Sequence, residues 1–234
     1  MADKIVGVIG GMGPEATVDL MRRVIQATPA QDDIDHIRMI VDNNPKVPSR
    51  IKAIIEGIGE SPAPALVEMA RKLEDYGADF LVIPCNTAHY YLNDIRSAVS
   101  IPVIDMIELT VEAVLRENPA IKTTGLLASN AVLQTGLYMK RFGERGVALI
   151  CPQNELQDRI MTAIRTIKTG RYGTREKSIL RSAAGDMIER QAEALIIACT
   201  ELSLISDTLE PEAKLYDSAQ ILAEVVVRKA KEEG

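Results

Sequence analysis

The chain has 234 residues, a net charge of −6 and 47% hydrophobic residues, with no Trp and two Phe. That length suits one large or two small domains cored by Ile, Val, Leu, Ala and Met. The mild acidity offers no basic footprint for nucleic acid, and no apolar run reaches the roughly 20 residues that cross a bilayer.

The opening "MADKIVGVIGG" carries Asp3 and is too short for a signal peptide, so a cytoplasmic setting is expected. The first strand, Ile5–Ile9, runs into "GGMGPEAT" (10–17) and a helix over Glu15–Ala27. Glycines after a strand let the backbone approach a ligand, and Pro14 suits a first helical turn. Met12 and Gly13 are therefore candidates for holding a carboxylate on backbone N–H groups. The same letters fit a loose dinucleotide pattern over Gly11–Ala16, but that reading leaves the cysteines below without a purpose. A second strand, Ile37–Val41, leads to "DNNPKVPSR" (42–50). Asn43 and Asn44 offer amide donors there, and Arg50 a guanidinium able to grip a carboxylate through two hydrogen bonds. After a helix at Ala63–Tyr76, the strand Phe80–Ile83 ends in "PCNTAH" (84–89). A short strand at Val103–Ile104 and a helix at Ile107–Glu117 follow, then "NPAIKTTG" (118–125), whose Asn, Pro and Gly suit a hinge.

The alternation then starts again. Strands are expected at Gly125–Ala128, Val147–Ile150, Leu195–Ala198 and Lys214–Tyr216. Helices are expected at Val132–Phe142, Leu156–Lys168, Glu176–Ala192 and Ser218–Lys231. Apolar strands alternating with amphipathic helices indicate an α/β protein with parallel sheets. The two runs also align with each other. "YGADFLVIPCNT" lies over "RQAEALIIACTE", with Cys85 on Cys199 and Asp79 on Glu193. "IVGVIGGMGPEATVDLMRRV" lies over "TTGLLASNAVLQTGLYMKRF", "IRMIVDNNP" over "VALICPQNE", and "IPVIDMIELTVEAVLRE" over "AKLYDSAQILAEVVVRK". Four matched segments in one order make an internal repeat. The expected architecture is two similar domains, each a four-stranded parallel sheet flanked by helices and related by a pseudo-two-fold axis. The domains are 1–106, carrying Cys85, and 107–216, carrying Cys199, with 217–234 a terminal helix.

Ligands of parallel α/β sheets bind beyond the carboxyl ends of the strands, where both cysteines fall. Two opposed thiols suit transfer of a proton from one face of a carbon to the other, one acting as base and the other as acid. Backbone N–H groups of a following helix would favour the thiolate. A single buried cysteine is more often a small hydrophobe, and the repetition argues for function. Cys151 has no cysteine partner in the first half and reads as structural. A Cys85–His89 hydrolase pair would leave Cys199 idle.

The motifs "PCNTAH", "ACTEL" (198–202) and "GGMGPEAT" together resemble the aspartate/glutamate racemase family over essentially the whole chain. Glutamate racemases carry Asp-Ser before the glycines and a histidine after the second Cys-Thr. This chain has "GGMGPEA" and "CTEL" instead, as the aspartate racemase branch does. The resemblance implies racemisation of an acidic amino acid without pyridoxal phosphate, metal or nucleotide, Cys85 and Cys199 being the acid/base pair. It implies a substrate site between two domains, a last helix returning to the first domain, and a homodimer with no nucleic acid or membrane partner. It also implies that Arg50, and Lys168 ahead of Gly170, bind substrate carboxylates. Asn86, Thr87 and Thr200 would hydrogen-bond substrate or thiolate. Glu201 could meet the substrate ammonium, orient a donor or cap a helix. A glutamate or broad-specificity racemase, a superfamily isomerase or lyase acting on a compound without an amino group, and a redox-sensitive binding protein are the alternatives.

Overall fold

A computed structural model of the chain describes residues 3–209 and 212–232. The chain divides into two compact units, Met1–Met106 with Ala219–Gly234, and Ile107–Ser218. The first run of elements is β1 (Val6–Gly10), α1 (Pro14–Ala27), β2 (Met39–Asn43), α2 (Arg50–Ile54), α3 (Ala63–Asp75), β3 (Phe80–Val82), α4 (Leu92–Arg96) and α5 (Met106–Glu117). The second run is β4 (Thr123–Ala128), α6 (Asn130–Thr135), α7 (Leu137–Gly143), β5 (Ala148–Ile150), α8 (Asn154–Ile167) and α9 (Thr174–Glu189). It closes with β6 (Ala194–Ala198), α10 (Thr200–Ser203), β7 (Lys214–Asp217) and α11 (Ser218–Lys231). Among the described residues, no helix is long and apolar enough to cross a membrane.

Each unit, taken by itself, is built around a parallel sheet, in the order β2-β1-β3 in the first and β5-β4-β6-β7 in the second. The registers match residue for residue with the sequence repeat. Val6 pairs with Met39 and Phe80, and its counterpart Thr124 pairs with Leu149 and Ala194. Leu81 faces Val103, and Leu195 faces Leu215. The central strands begin alike as well. The Ile5 N–H donates to Asp79 Oδ2 at 2.6 Å, and the Thr123 N–H to Glu193 Oε1 at 2.9 Å.

Packing repeats with the register. A Cβ on Gly7 would lie 2.5 Å from Leu81 Cδ2 and 3.2 Å from Leu73 Cβ. A Cβ on Gly125 would lie 2.6 Å from Leu195 Cδ2 and 3.2 Å from Met187 Cβ. In both units a helix, α3 or α9, and a leucine of the neighbouring strand pack so closely on the central strand that a Cβ there would have to push them aside.

Three expectations are corrected. The first sheet has three strands, and its fourth place holds only the single bridge between Leu81 and Val103. Pro102 contributes to this: it stands where the second unit has Lys214, the first residue of β7, and proline has no N–H to give to a ladder. The helix expected over Val132–Phe142 is two helices, parted at Gly136, whose φ of +64° ends α6 in the left-handed region. Segment 118–125 is no hinge: it lies inside the second unit, where Thr123 already begins β4.

Helices α5 and α11 change places with respect to the repeat. Helix α5 follows the first sheet but, from Ile107 on, belongs to the second unit; α11 follows the second sheet but, from Ala219 on, belongs to the first. The Lys4 N–H donates to the Ala230 carbonyl at 2.9 Å, Arg23 Nη1 to Gln220 Oε1 at 3.1 Å, and Lys231 Nζ to the Asp35 carbonyl at 2.9 Å.

Candidate active site

In the first unit the loops at the carboxyl edge interlock. Gly10 pairs with Asn43, so the glycine loop and the 42–50 loop leave the sheet side by side. Gly11, at φ +90°, is required there, because a Cβ would lie 2.3 Å from the Asn44 backbone. Its N–H donates to Thr17 Oγ1 at 2.9 Å, and so is not one of the free anion-holding donors expected of this loop. Met12 is buried and Gly13 precedes α1, with a cis peptide between them. Arg50 opens α2 and binds back: Nη2 donates to the Met12 carbonyl at 3.2 Å, and Nη1 to the Pro48 carbonyl at 3.1 Å. The guanidinium therefore ties the two loops together. Met12, Val47 and Cys85 share one buried cluster, so the arginine and the first cysteine belong to one neighbourhood of this unit.

Cys85 is buried just past β3. Its carbonyl accepts from the Ala88 N–H at 3.2 Å and from His89 Nδ1 at 2.9 Å. His89 Nε2 accepts from the Met106 N–H at 3.1 Å. A backbone N–H can only donate, so Nε2 carries no proton, and Nδ1–H is the donor to Cys85. The ring is a neutral staple between the cysteine turn and the start of α5, both nitrogens being committed to backbone. Asn86 is buried, and Thr87 half-buried, in the 3-10 turn Thr87–Tyr91 and its cap.

The second unit carries the charged counterpart. Cys199 caps α10, buried between β6 and that helix. Its thiol donates to Glu201 Oε2 at 3.2 Å, and Lys168 Nζ lies 3.2 Å from Glu201 Oε1. The lysine attracts that oxygen by charge, but it is angled away from hydrogen-bond geometry, and Oε1 remains a buried acceptor without a hydrogen bond. Lys168, Cys199 and Glu201 therefore meet, and Thr200 is buried beside them.

The expectation that a helix start favours both thiolates fails for Cys199. Burial pushes this thiol well above its ordinary range, and the Glu201 charge adds to the push. Lys168 and the Leu202 N–H, which faces the sulfur without forming a good cap, pull the other way and lose. Helix α10 has only four residues, too few to build a strong dipole. Cys151, half-buried after β5, is also pushed up by burial, and its carbonyl accepts from Arg190 Nη1 at 2.8 Å.

Sequence reasoning missed the residues that hold these turns. Thr17 closes the glycine loop, and His89 staples the first cysteine turn. Ser203, matched to His89, does the same work in the second unit by donating to Asp217 Oδ1 at 2.6 Å. The alignment of Asp105 with Asp217 was the available signal for that contact.

Known proteins fall into place against this geometry. The profile of the Asp/Glu/Hydantoin racemase family matches residues 9–226. The solved Picrophilus torridus aspartate racemase is 31% identical, with a TM-score of 0.86 over 98% of this chain and 95% of that one. The broad specificity amino-acid racemase RacX of Bacillus subtilis (strain 168) is 28% identical over 227 residues, 95% of this chain and 96% of RacX. A glutamate racemase of Francisella tularensis, solved in complex with D-glutamate, shares the fold at 18% identity and a TM-score of 0.67, over 97% of this chain and 81% of that one. With a match that takes in both sheets and both cysteine turns, the chain belongs to the Asp/Glu/Hydantoin racemase family.

Proposed function

We propose that this protein interconverts the enantiomers of an acidic amino acid, L- and D-aspartate, with Cys85 and Cys199 as the two proton-transferring groups and no cofactor. The observation that carries the reading is the repeat. Three strand pairings agree in register between the units, and a cysteine follows the same strand in each. A reaction that must run both ways needs one group for each face of the α-carbon, and a duplicated βα unit supplies two of a kind.

In the forward step one thiolate removes the α-proton and the other thiol gives a proton to the opposite face. This requires the carboxyl edges of the two units to flank one substrate about a pseudo-two-fold axis. Arg50 and Lys168, one cation in each unit, would each hold one carboxylate, which is why a dicarboxylate is favoured. The glycine loop at Met12 and Gly13, with Asn43, Asn86, Thr87 and Thr200, would hold the remaining polar atoms. Fixed dipoles, not an electron sink, would stabilise the carbanion. A homodimer in the cytoplasm completes the proposal, and light scattering on the purified chain tests the dimer.

The decisive experiment is α-proton exchange in deuterium oxide. Each enantiomer of aspartate, glutamate and alanine is incubated with the protein, and α-proton loss is followed by NMR alongside inversion by circular dichroism. Exchange coupled to inversion, fastest with aspartate, is expected. No exchange with any amino acid would overturn the racemase reading. Equal rates across all three would replace aspartate with the breadth that the name of RacX describes.

A further inference from the structure

Glu201 has no charged counterpart in the other unit, where Thr87 takes the matched place. It is buried beside Cys199, one oxygen accepting from the thiol and the other facing Lys168. A carboxylate paired with an ammonium group only accepts hydrogen bonds, so the sulfur is the donor. The resting arrangement is thus a protonated Cys199 next to an ionised Glu201. Among the described residues, Glu201 and Lys168 are the charged groups that act on this sulfur, from α10 and from the C-cap of α8.

We propose that Glu201 is a positioning residue that keeps Cys199 protonated in the free enzyme and takes its proton when the sulfur must act as a base, with Lys168 controlling that transfer. The inference rests on the two-cysteine reading above and deepens it. In the transfer the S–H bond breaks and an O–H bond forms at Oε2. The sulfur keeps the electron pair and becomes thiolate, the carboxylate becomes neutral, and no other reactant takes part. While Lys168 faces Oε1 it stabilises the carboxylate anion, and the proton stays on sulfur. Once Lys168 turns to a substrate carboxylate, Glu201 loses its counter-charge, and Oε2 is free to take the proton it already receives as a hydrogen bond from the sulfur. Binding of the acidic substrate and formation of the Cys199 thiolate thereby become one event. The free enzyme starts with Cys199 as the acid, so the two directions of the reaction begin from unequal states.

The test is site-resolved alkylation by iodoacetamide as a function of pH, read by mass spectrometry on the full chain and on Glu201→Gln. Only thiolate reacts, so the inflection reports protonation whatever the access to the site. In the parent, Cys199 should react with an inflection above that of a free cysteine. In Glu201→Gln that inflection should fall by about one pH unit or more, with about tenfold faster alkylation at neutral pH, while the Cys85 profile stays in place. α-Proton exchange should change unequally for D- and L-aspartate. An unmoved Cys199 inflection, or an equal movement of both cysteines, overturns the proposal. Should Glu201→Gln fail to fold, Glu201→Asp, which draws the carboxylate back from the sulfur, gives the same reading with a smaller shift. Alkylation does not depend on turnover. A parent chain that exchanges no α-proton would therefore sink the racemase reading while the alkylation comparison still decides the role of Glu201.

Discussion

Around Cys85 the matched neighbours are Thr87 and His89, the latter neutral and held by backbone on both sides. Around Cys199 they are Glu201 and Ser203, with Lys168 closing on the carboxylate. The backbone is repeated down to strand register and to the glycine under each packed helix, whereas the charges beside the cysteines are not. Duplication therefore preserved where each sulfur is held and left its proton affinity free to diverge. Two groups that share a reaction need the same reach, and they need not share the same resting state.

That comparison can be broken most severely at the sulfurs. Cys85→Ser and Cys199→Ser are each expected to cut racemisation by about 10²–10⁴-fold, the scale of losing one acid/base group. Cys151→Ser should stay at parental activity in the same polarimetric assay. A Cys85→Ser or Cys199→Ser chain with undiminished turnover would show that the repeat has no chemical meaning. Next in size is His89→Ala, which removes the buried ring joining the Cys85 carbonyl to the Met106 N–H. Chemical denaturation should show a loss of about 3 kcal/mol, and a loss below about 1 would remove the staple from the account. Gly7→Ala and Gly125→Ala sharpen the comparison, because matched packing predicts matched cost. Each should lose about 1–3 kcal/mol by overpacking, the two agreeing within about 1 kcal/mol, and a clear disparity in unfolding midpoints would deny the structural repeat. The smallest effect is expected from Ser203→Ala, about 1 kcal/mol, since the Asp217 carboxylate it leaves behind keeps Ser206 Oγ at 3.0 Å.

Much of this was legible in the chain's letters. Strand–helix alternation showed through because buried parallel strands are short apolar runs bounded by glycine, proline and polar turns. The alignment of Asp79 with Glu193 carried more than it seemed to hold, for both carboxylates receive the first N–H of a central strand. The missing fourth strand was also readable in principle: Pro102 is in plain view, and only the weight given to the repeat hid it. The tautomer of His89 and the pairing of Lys168 with Glu201 were beyond reach. Each depends on residues that the fold brings together from distant or unpatterned places, and no spacing rule encodes them.

The exchange of α5 and α11 bears on how the chain is made. The second unit is one unbroken stretch, Ile107–Ser218, while the first needs α11 to be whole. On a ribosome the first sheet must wait with one flank bare until α11 has emerged, and the later-made half closes on local contacts beforehand. The order of folding is thus expected to run against the order of synthesis. A chain truncated after Ser218 should show strong amide-exchange protection in β4 and β6 and little in β1 and β3; equal protection of all four strands would refute that order.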